Sequence, residues 1–207
     1  MVWILTARRD RRLVAAEQER VRRRMAREDV TTLGEQVADL HVETLTTTLD
    51  EAMRADYQAA LDAYEEAKSV LTLADEGRDD GALGTLLDEG RFRVARVLAR
   101  RDGEPLPARR DPCFFDPRHG PAVTDLPWTP SGGVERSVPV CRTDEVRLTT
   151  GMLPQVRMVA VGDRLVPWWA VGDQGRSLDG RRRSDRRQRH AEAQATINQG
   201  SSPGFLT

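Results

Sequence analysis

Two cysteines, a histidine and an aspartate in the second half of the chain have side chains that bind zinc. Cys113 lies six residues before His119, and Cys141 and Asp144 have the spacing of a C-x₂-C zinc knuckle. Zinc accepts thiolate sulfur, imidazole nitrogen and carboxylate oxygen in a tetrahedral arrangement. The set Cys113, His119, Cys141 and Asp144 therefore predicts a metal site with zinc as the ion.

Two other interpretations of the cysteines stay open at this point. The two thiols could simply pack in the protein without a partner, or they could form a disulfide between Cys113 and Cys141 if this part of the chain is extracellular. Two cysteines in 207 residues are too few for a disulfide-rich secreted scaffold.

A small β-rich module, residues 113–175, must position these side chains. It contains three of the four tryptophans and both cysteines. Residues 156–161 and 164–169 flank Gly162-Asp163 and predict a β-hairpin on a two-residue turn, and residues 137–141 predict a further strand. A unit of roughly 60 residues has little core of its own, and a bound metal would compensate for that.

Ahead of the module, residues 32–76 predict one long amphipathic helix. Thr32 and Glu35 fit a capping box at its start. Apolar side chains recur three to five positions apart, which keeps them on one stripe of the helix. The stripe contains Leu33, Val37, Leu40, Leu45, Leu49, Met53, Tyr57, Leu61, Tyr64 and Leu71.

A second, shorter helix is predicted after Gly77. Asp79 or Asp80 would cap it, and it would end near Arg101 and Gly103. A short connection implies an antiparallel helical hairpin. Because the second helix is shorter, part of the stripe stays uncovered, which predicts self-association or another helical protein as partner. The expected seam consists of Leu40, Leu45, Leu49, Met53 and Leu61.

Composition supports this architecture. Hydrophobic residues make up 39% and charged residues 31% of the chain, a balance that favours an extended helical or coiled-coil body over a large packed core. The expected fold class is mainly α with a small β module. The expected organisation is a basic juxtamembrane-like helix (1–31), a helical hairpin or coiled coil (32–103), a linker (104–112), the β-rich module (113–175) and a disordered arginine-rich tail (176–207).

Charge is distributed unevenly along the chain. Residues 8–29 contain nine arginines against five acids, and residues 176–189 contain seven arginines against two aspartates. The short apolar opening followed by arginines resembles the end of a membrane span and its cytoplasmic flank, and an ordinary frayed amino terminus is the alternative interpretation. The amino-terminal basic segment therefore predicts contact with a membrane surface, with the chain in the cytoplasm or at the inner face of the cell membrane.

Several motifs together resemble a known family. They are Cys113-Phe-Phe-Asp-Pro-Arg-His-Gly-Pro121, Trp128-Thr-Pro, Val138-Pro-Val-Cys141 and Val166-Pro-Trp. Residues 1–170 resemble the segment that follows the membrane span in TPM-domain membrane proteins of high-GC bacteria. The family has a further cysteine where Asp144 stands. The TPM domain, which carries the family's suspected phosphatase activity, is absent, so the resemblance transfers no catalytic residue.

The function expected from these observations is that of a non-enzymatic interaction or scaffold protein at a membrane. No GxGxxG motif or phosphate loop is present, and no catalytic triad can be assembled from the three histidines. The alternative is a nucleic-acid-binding protein that uses a zinc-ribbon-like module and the arginine-rich tail. The strongly acidic predicted helix disfavours this alternative, because it would repel phosphates.

Overall fold

The computed structural model describes residues 2–75, 81–130 and 133–171. Three helices come first: α1 (Val2–Thr44), α2 (Glu51–Asp75) and α3 (Leu83–Arg101). They are followed by β1 (Thr124–Trp128), β2 (Arg136–Val140), α4 (Arg142–Thr149), β3 (Met158–Val161) and β4 (Arg164–Pro167). The predicted class, mainly α with a small β module, is confirmed.

The prediction of one continuous helix over residues 32–76 is wrong, because the chain leaves the helix between α1 and α2. The connecting residues include three consecutive threonines, 46–48, which lose side-chain freedom in a helix. Thr44 Oγ1 donates to the carbonyl oxygen of Leu40 at 2.7 Å. At the start of α2 the backbone N–H of Met53 donates to Asp50 Oδ1 at 2.7 Å, which caps the new helix.

Helix α1 also extends much further towards the amino terminus than a start at Thr32 would allow. It runs without interruption across the expected boundary between residues 31 and 32. Thr32 and Glu35 therefore lie inside the helix, and the capping-box interpretation is wrong. Backbone N–H groups in the middle of a helix already have carbonyl partners four residues earlier, so they need no cap.

Helices α2 and α3 form the predicted antiparallel hairpin. Asp56 on α2 contacts Arg96 on α3, whereas Ala63, two turns later on α2, lies beside Gly90, almost two turns earlier on α3. The predicted caps Gly77, Asp79 and Asp80 lie outside the described residues. The N-cap position of α3 is occupied by Ala82, which makes no side-chain capping hydrogen bond.

The second half of α1 packs on this hairpin and completes a three-helix core. A Cβ atom on Gly90 would lie 2.8 Å from Leu33 Cδ2, so glycine is what allows α3 to approach α1 this closely. The expectation of an uncovered apolar stripe is wrong, because α1 covers it. The core contains Val30, Leu33, Val37, Leu40, Met53, Ala60, Ala67, Val70, Leu83, Leu87, Val94 and Val97.

The expected self-association seam is therefore used mainly inside the chain. Leu40 is 1% exposed and Met53 is 4% exposed. Leu49 and Leu61 pack partly buried against the same core. Only Leu45, at 67% exposure, faces solvent. Four of these five side chains therefore contribute to the core of the chain itself, and self-association stays a prediction.

The carboxyl-terminal module contains two antiparallel two-stranded sheets. Strands β3 and β4 form the hairpin predicted around Gly162-Asp163, with Gly162 at a φ of 60°. Strand β1 pairs with β2, which corresponds to the predicted strand at residues 137–141. Helix α4, which the sequence analysis did not anticipate, follows β2 directly. The module thus contains one more helix than expected.

The module packs against the first helix. Val159 on β3 forms a buried cluster with Val21 and Met25 on α1. Among the described helices, none combines the length and the apolar character needed to cross a membrane. The predicted disordered tail, 176–207, lies outside the described residues.

Candidate metal centre

Cys113, His119, Cys141 and Asp144 come together within the module. Their ligand atoms all lie within 4.8 Å of one another. Asp144 Oδ2 is 3.1 Å from His119 Nδ1, 3.3 Å from Cys113 Sγ and 3.6 Å from Cys141 Sγ. Cys141 Sγ is 3.6 Å from His119 Nδ1. The four residues singled out in the sequence could therefore hold a metal ion.

A closed loop brings His119 back to Cys113. The backbone N–H of Cys113 donates to the carbonyl oxygen of Gly120 at 3.0 Å. Within the loop the Asp116 side chain accepts a hydrogen bond from the backbone N–H of Arg118 at 2.9 Å, which starts a short 3₁₀ turn ending at His119. Gly120 ends the turn with a φ of 87°, a region that strongly favours glycine.

The amino terminus of α4 positions Cys141 and Asp144. Cys141 occupies the N-cap position, and its Sγ accepts a hydrogen bond from the backbone N–H of Asp144 at 3.5 Å. Asp144 is fully buried. Its Oδ1 accepts a hydrogen bond from the backbone N–H of Gln155 at 2.8 Å, which leaves Oδ2 facing the two thiols and the imidazole. The three-residue spacing seen in the sequence is thus that of a helix cap.

The cluster is buried, and hydrogen bonds within it shift the pKa of its two thiols and of its imidazole. Cys113 is 1% exposed, Cys141 is 6% exposed, and the His119 side chain is 24% exposed. The hydrogen bond between the thiols, together with burial, holds the pKa of Cys113 well above its usual range, and the same bond lowers the pKa of Cys141. Hydrogen bonding to Cys113 raises the pKa of His119. The hydrogen bonds between the two thiols and the imidazole therefore shift the pKa of each of these three groups.

Four of the six distances between the ligand atoms are close to those of a tetrahedral zinc site. With zinc–sulfur bonds of about 2.3 Å and zinc–nitrogen or zinc–oxygen bonds of about 2.0 to 2.2 Å, neighbouring ligand atoms in a tetrahedron lie about 3.3 to 3.8 Å apart. Four of the six edges measure 3.1, 3.3, 3.6 and 3.6 Å, and all six are at most 4.8 Å. Both cysteines are free thiols, so the alternative of a disulfide between Cys113 and Cys141 is not what the structure contains.

A buried ion cluster that the sequence analysis missed joins the module to the helices. Arg157 Nη1 donates to both carboxylate oxygens of Asp29 on α1, at 2.7 and 3.0 Å. Arg91 on α3 donates to the Asp29 carbonyl oxygen at 3.3 Å. The three side chains are at most 4% exposed, and burial raises the pKa of Asp29 despite the two guanidinium groups. Asp29 and Arg157 are 128 positions apart, so no local sequence signal connects them.

The same cluster is linked to the candidate metal centre through the backbone. The N–H of Arg157 donates to the carbonyl oxygen of Phe115 at 3.0 Å, inside the loop between Cys113 and His119. On the other side of the loop, Gln36 Nε2 of α1 donates to the carbonyl oxygen of Arg118 at 2.7 Å. The loop that carries two of the four candidate ligands is therefore also the loop that contacts the helices.

Comparison with family models, with curated proteins and with solved structures finds no match to this chain. The resemblance to TPM-domain membrane proteins accordingly stays a prediction. The nucleic-acid hypothesis also stays a prediction, since the arginine-rich tail on which it depends lies outside the described residues.

Proposed function

We propose that this chain is a non-enzymatic scaffold protein whose carboxyl-terminal module is held together by one structural zinc ion. The observation that supports the proposal is the close approach of the ligand atoms of Cys113, His119, Cys141 and Asp144, which all lie within 4.8 Å of one another. Structural zinc sites have four protein ligands, whereas catalytic zinc keeps one position open for water. A set of four protein ligands, three of them at most 6% exposed, supports a structural role.

Zinc would stabilise the module by joining segments that are far apart in sequence. It would displace the thiol protons and bind thiolate, imidazole and carboxylate together. The segments that it would join are the loop from Cys113 to His119 and the amino terminus of α4. The module has a small buried core beside this site, namely Cys113, Phe115, Val138, Val140 and Cys141, and such units depend on additional links for their stability.

The decisive experiment measures the metal content of the purified full chain. We expect one zinc ion per chain, and substitution by cobalt(II) should give the absorption of a tetrahedral thiolate complex. The variants C141S and D144N should each lose most of the metal. The variant His41→Gln, which changes an exposed histidine on α1 outside the site, should retain it. A chain that binds no zinc, or that binds it equally well in C141S and D144N, would refute the proposal.

Chelation shows whether the ion has a structural role. Removal of zinc should increase hydrogen exchange in residues 113–161, because the loop and α4 lose their common ligand. Helices α2 and α3 should keep their protection, because their core contains none of the four ligands. Unchanged exchange in the module after the metal has been removed would contradict a structural role.

The proposal also includes an anionic membrane surface as partner for the amino-terminal basic segment. Among the side chains described ahead of Val21, none is buried. Residues 8–29 contain nine arginines against five acids, and this excess of positive charge suits anionic headgroups.

Vesicle sedimentation tests the membrane part of the proposal. The full chain should sediment with phosphatidylserine-containing vesicles at low salt and should be released as salt rises, because exposed charges are screened. It should not sediment with phosphatidylcholine vesicles. Equal binding to both kinds of vesicle, or binding that salt does not weaken, would show that the arginines are not responsible.

A further inference from the structure

Four arginine side chains come together where α3 meets α2 and the linker that follows α3. Arg93, Arg96 and Arg100 lie three and four positions apart, so they occupy one stripe of α3. Arg109 comes from the linker, and its guanidinium group reaches back to the same part of α3. The side chains of these four residues, the arginine cluster, are between 18% and 53% exposed. A ligand in solution can therefore reach them.

Two carboxylates contact the arginine cluster and neutralise only half of its charge. Asp56 on α2 accepts hydrogen bonds from the three arginines of α3. Glu89 accepts from Arg93 at 2.7 Å and from Arg109. Among the described residues these are the ion pairs of the arginine cluster, which leaves a surplus of two positive charges. Because like charges repel one another on a helix, stability alone does not account for this surplus.

Several nitrogen atoms of the arginine cluster are open to solvent and have no protein acceptor. Arg96 bonds to Asp56 only through Nε, and Arg100 only through Nη1. Both Nη atoms of Arg96, and Nε and Nη2 of Arg100, thus have no acceptor within the part of the chain that the structure describes. None of these four atoms belongs to the buried unpaired polar atoms found there. Their N–H groups are therefore available to a ligand.

An aromatic ring helps to hold these donors in place. The guanidinium carbons of Arg109, Arg96 and Arg93 lie 4.5, 5.5 and 6.0 Å from the centroid of the Phe92 ring. Contacts of this kind are attractive, and together with the two carboxylates they orient the planar guanidinium groups before a ligand arrives. The paired N–H donors of a guanidinium group match the oxygen atoms of a phosphate. Donors that are already oriented lose less conformational entropy on binding.

We propose that the arginine cluster binds a phosphate dianion, either the free ion or the phosphomonoester group of a small molecule. A phosphomonoester carries a charge of about −1.5 to −2 at neutral pH, which matches the surplus of two positive charges. Its oxygen atoms accept from the free N–H groups of Arg96 and Arg100, and Arg109 adds a further positive charge. The inference goes beyond the proposed scaffold function, since the arginine cluster contains no candidate metal ligand and no residue of the basic segment 8–29.

Titration of the full chain with three anions, followed by NMR of the arginine Nε–H signals, tests the proposal. The probes are inorganic phosphate, methyl phosphate and dimethyl phosphate, added at constant ionic strength so that charge screening does not change. We expect saturable shifts of the Arg96, Arg100 and Arg109 signals with the first two probes and none with dimethyl phosphate, which carries a single charge. Tighter binding of methyl phosphate would identify a phosphomonoester as the ligand, and tighter binding of inorganic phosphate would identify the free ion.

Two matched variants of the linker complete the test. Arg109→Gln should weaken binding about fivefold, the loss expected for one exposed charge pair. Arg110→Gln removes the same charge from the next residue, which pairs with Asp125 outside the arginine cluster, and it should leave the affinity unchanged. The proposal is overturned if neither dianion gives saturable shifts or if both variants lose the same affinity. It is also overturned if dimethyl phosphate binds as tightly as methyl phosphate, a result that would favour a nucleic-acid backbone. Zinc content and vesicle sedimentation are measured separately, so failure here leaves the proposed function standing.

Discussion

At the scale of single residues, Asp144 combines two roles in one carboxylate. Its Oδ1 accepts from the backbone N–H of Gln155, and its Oδ2 faces Cys113, Cys141 and His119. The first bond ties the carboxylate to the segment after α4. The second oxygen is thereby fixed before any ion arrives, and a preorganised ligand loses less conformational entropy on binding. In this fold an aspartate can therefore be as rigid a ligand as a cysteine.

Asp56 is a second buried carboxylate, and it carries a prediction about pH. It accepts hydrogen bonds from Arg93 at 2.7 Å, from Arg96 at 3.0 Å and from Arg100. Burial alone would raise the pKa of Asp56, but these hydrogen bonds outweigh it and hold the pKa below its usual 3.8. A lowered pKa means that the carboxylate stabilises the fold above pH 3.8, and that this stabilisation is lost as the pH falls through the lowered value.

Substitution of Asp56 should therefore have an effect that depends on pH. We expect D56N to lower the free energy of unfolding by about 2 kcal/mol near neutral pH, because charge-assisted hydrogen bonds are replaced by weaker ones. The difference from the wild type should shrink below pH 3.8. Urea unfolding at several pH values measures it. A constant difference across this range would show that the carboxylate charge is not responsible.

The side chains of the candidate site could be found from the sequence because their donor atoms are specific to few residue types. Cys141 and Asp144 are also near neighbours in the chain, so one helix cap brings them together. The buried pair of Asp29 and Arg157 offered no such signal. Aspartate and arginine are abundant here, and which of them pair depends on how α1 packs against the module. Pairing across such a distance is a property of the tertiary structure.

At the scale of elements, the break between α1 and α2 changes what a mutation of the apolar stripe should do. Met53 is 4% exposed and belongs to the core of the three helices. Met53→Asp should therefore unfold the bundle, because it buries an unpaired charge. Leu45→Asp, at an exposed site in the connection, should have little effect. Circular dichroism with solution mass measures both. If Met53→Asp instead stays folded but loses self-association, the result would support the predicted self-association seam.

The helical pattern predicted the apolar face correctly and the helix ends poorly. The apolar periodicity near 3.6 residues continues through residues 45–50, because Leu45 and Leu49 lie at positions that fit it. The three threonines and Asp50 were the local indications of a break in the helix. Their helix propensity is only slightly unfavourable, so the apolar periodicity favoured a continuous helix. No pattern in the sequence indicated that the hairpin of α2 and α3 packs against α1. This packing depends on the close approach of α3 to α1 at Gly90.

At the scale of the whole molecule, the buried cluster of Asp29, Arg91 and Arg157 should control the docking of the module. D29N removes the buried carboxylate that lies between the two guanidinium groups, and removal of one member of a buried ion pair costs about 3 to 5 kcal/mol. Glu28→Gln is the matched control, because Glu28 also contacts Arg157, at 3.3 Å, but is 48% exposed. Surface pairs contribute about 0 to 1 kcal/mol.

The measurement is hydrogen exchange of residues 21–29 and 157–161 together with the melting temperature. D29N should deprotect both segments, because they face each other across the docking interface, and it should lower the melting temperature. Glu28→Gln should change neither by much. Equal effects of the two substitutions would mean that burial of the ion cluster is not what holds the module in place.

Helix α1 packs against both the helical hairpin and the carboxyl-terminal module, and this limits where residues can be inserted or deleted. The module contacts Val21, Met25 and Asp29, and the helical core begins at Val30 and Leu33 on the same continuous helix. One inserted residue between these contact sets would rotate one set against the other by about 100° and shift it by about 1.5 Å. The exposed residues 102–106 carry no such constraint. Insertions and deletions should therefore be tolerated after α3 and be selected against between the two contact sets of α1.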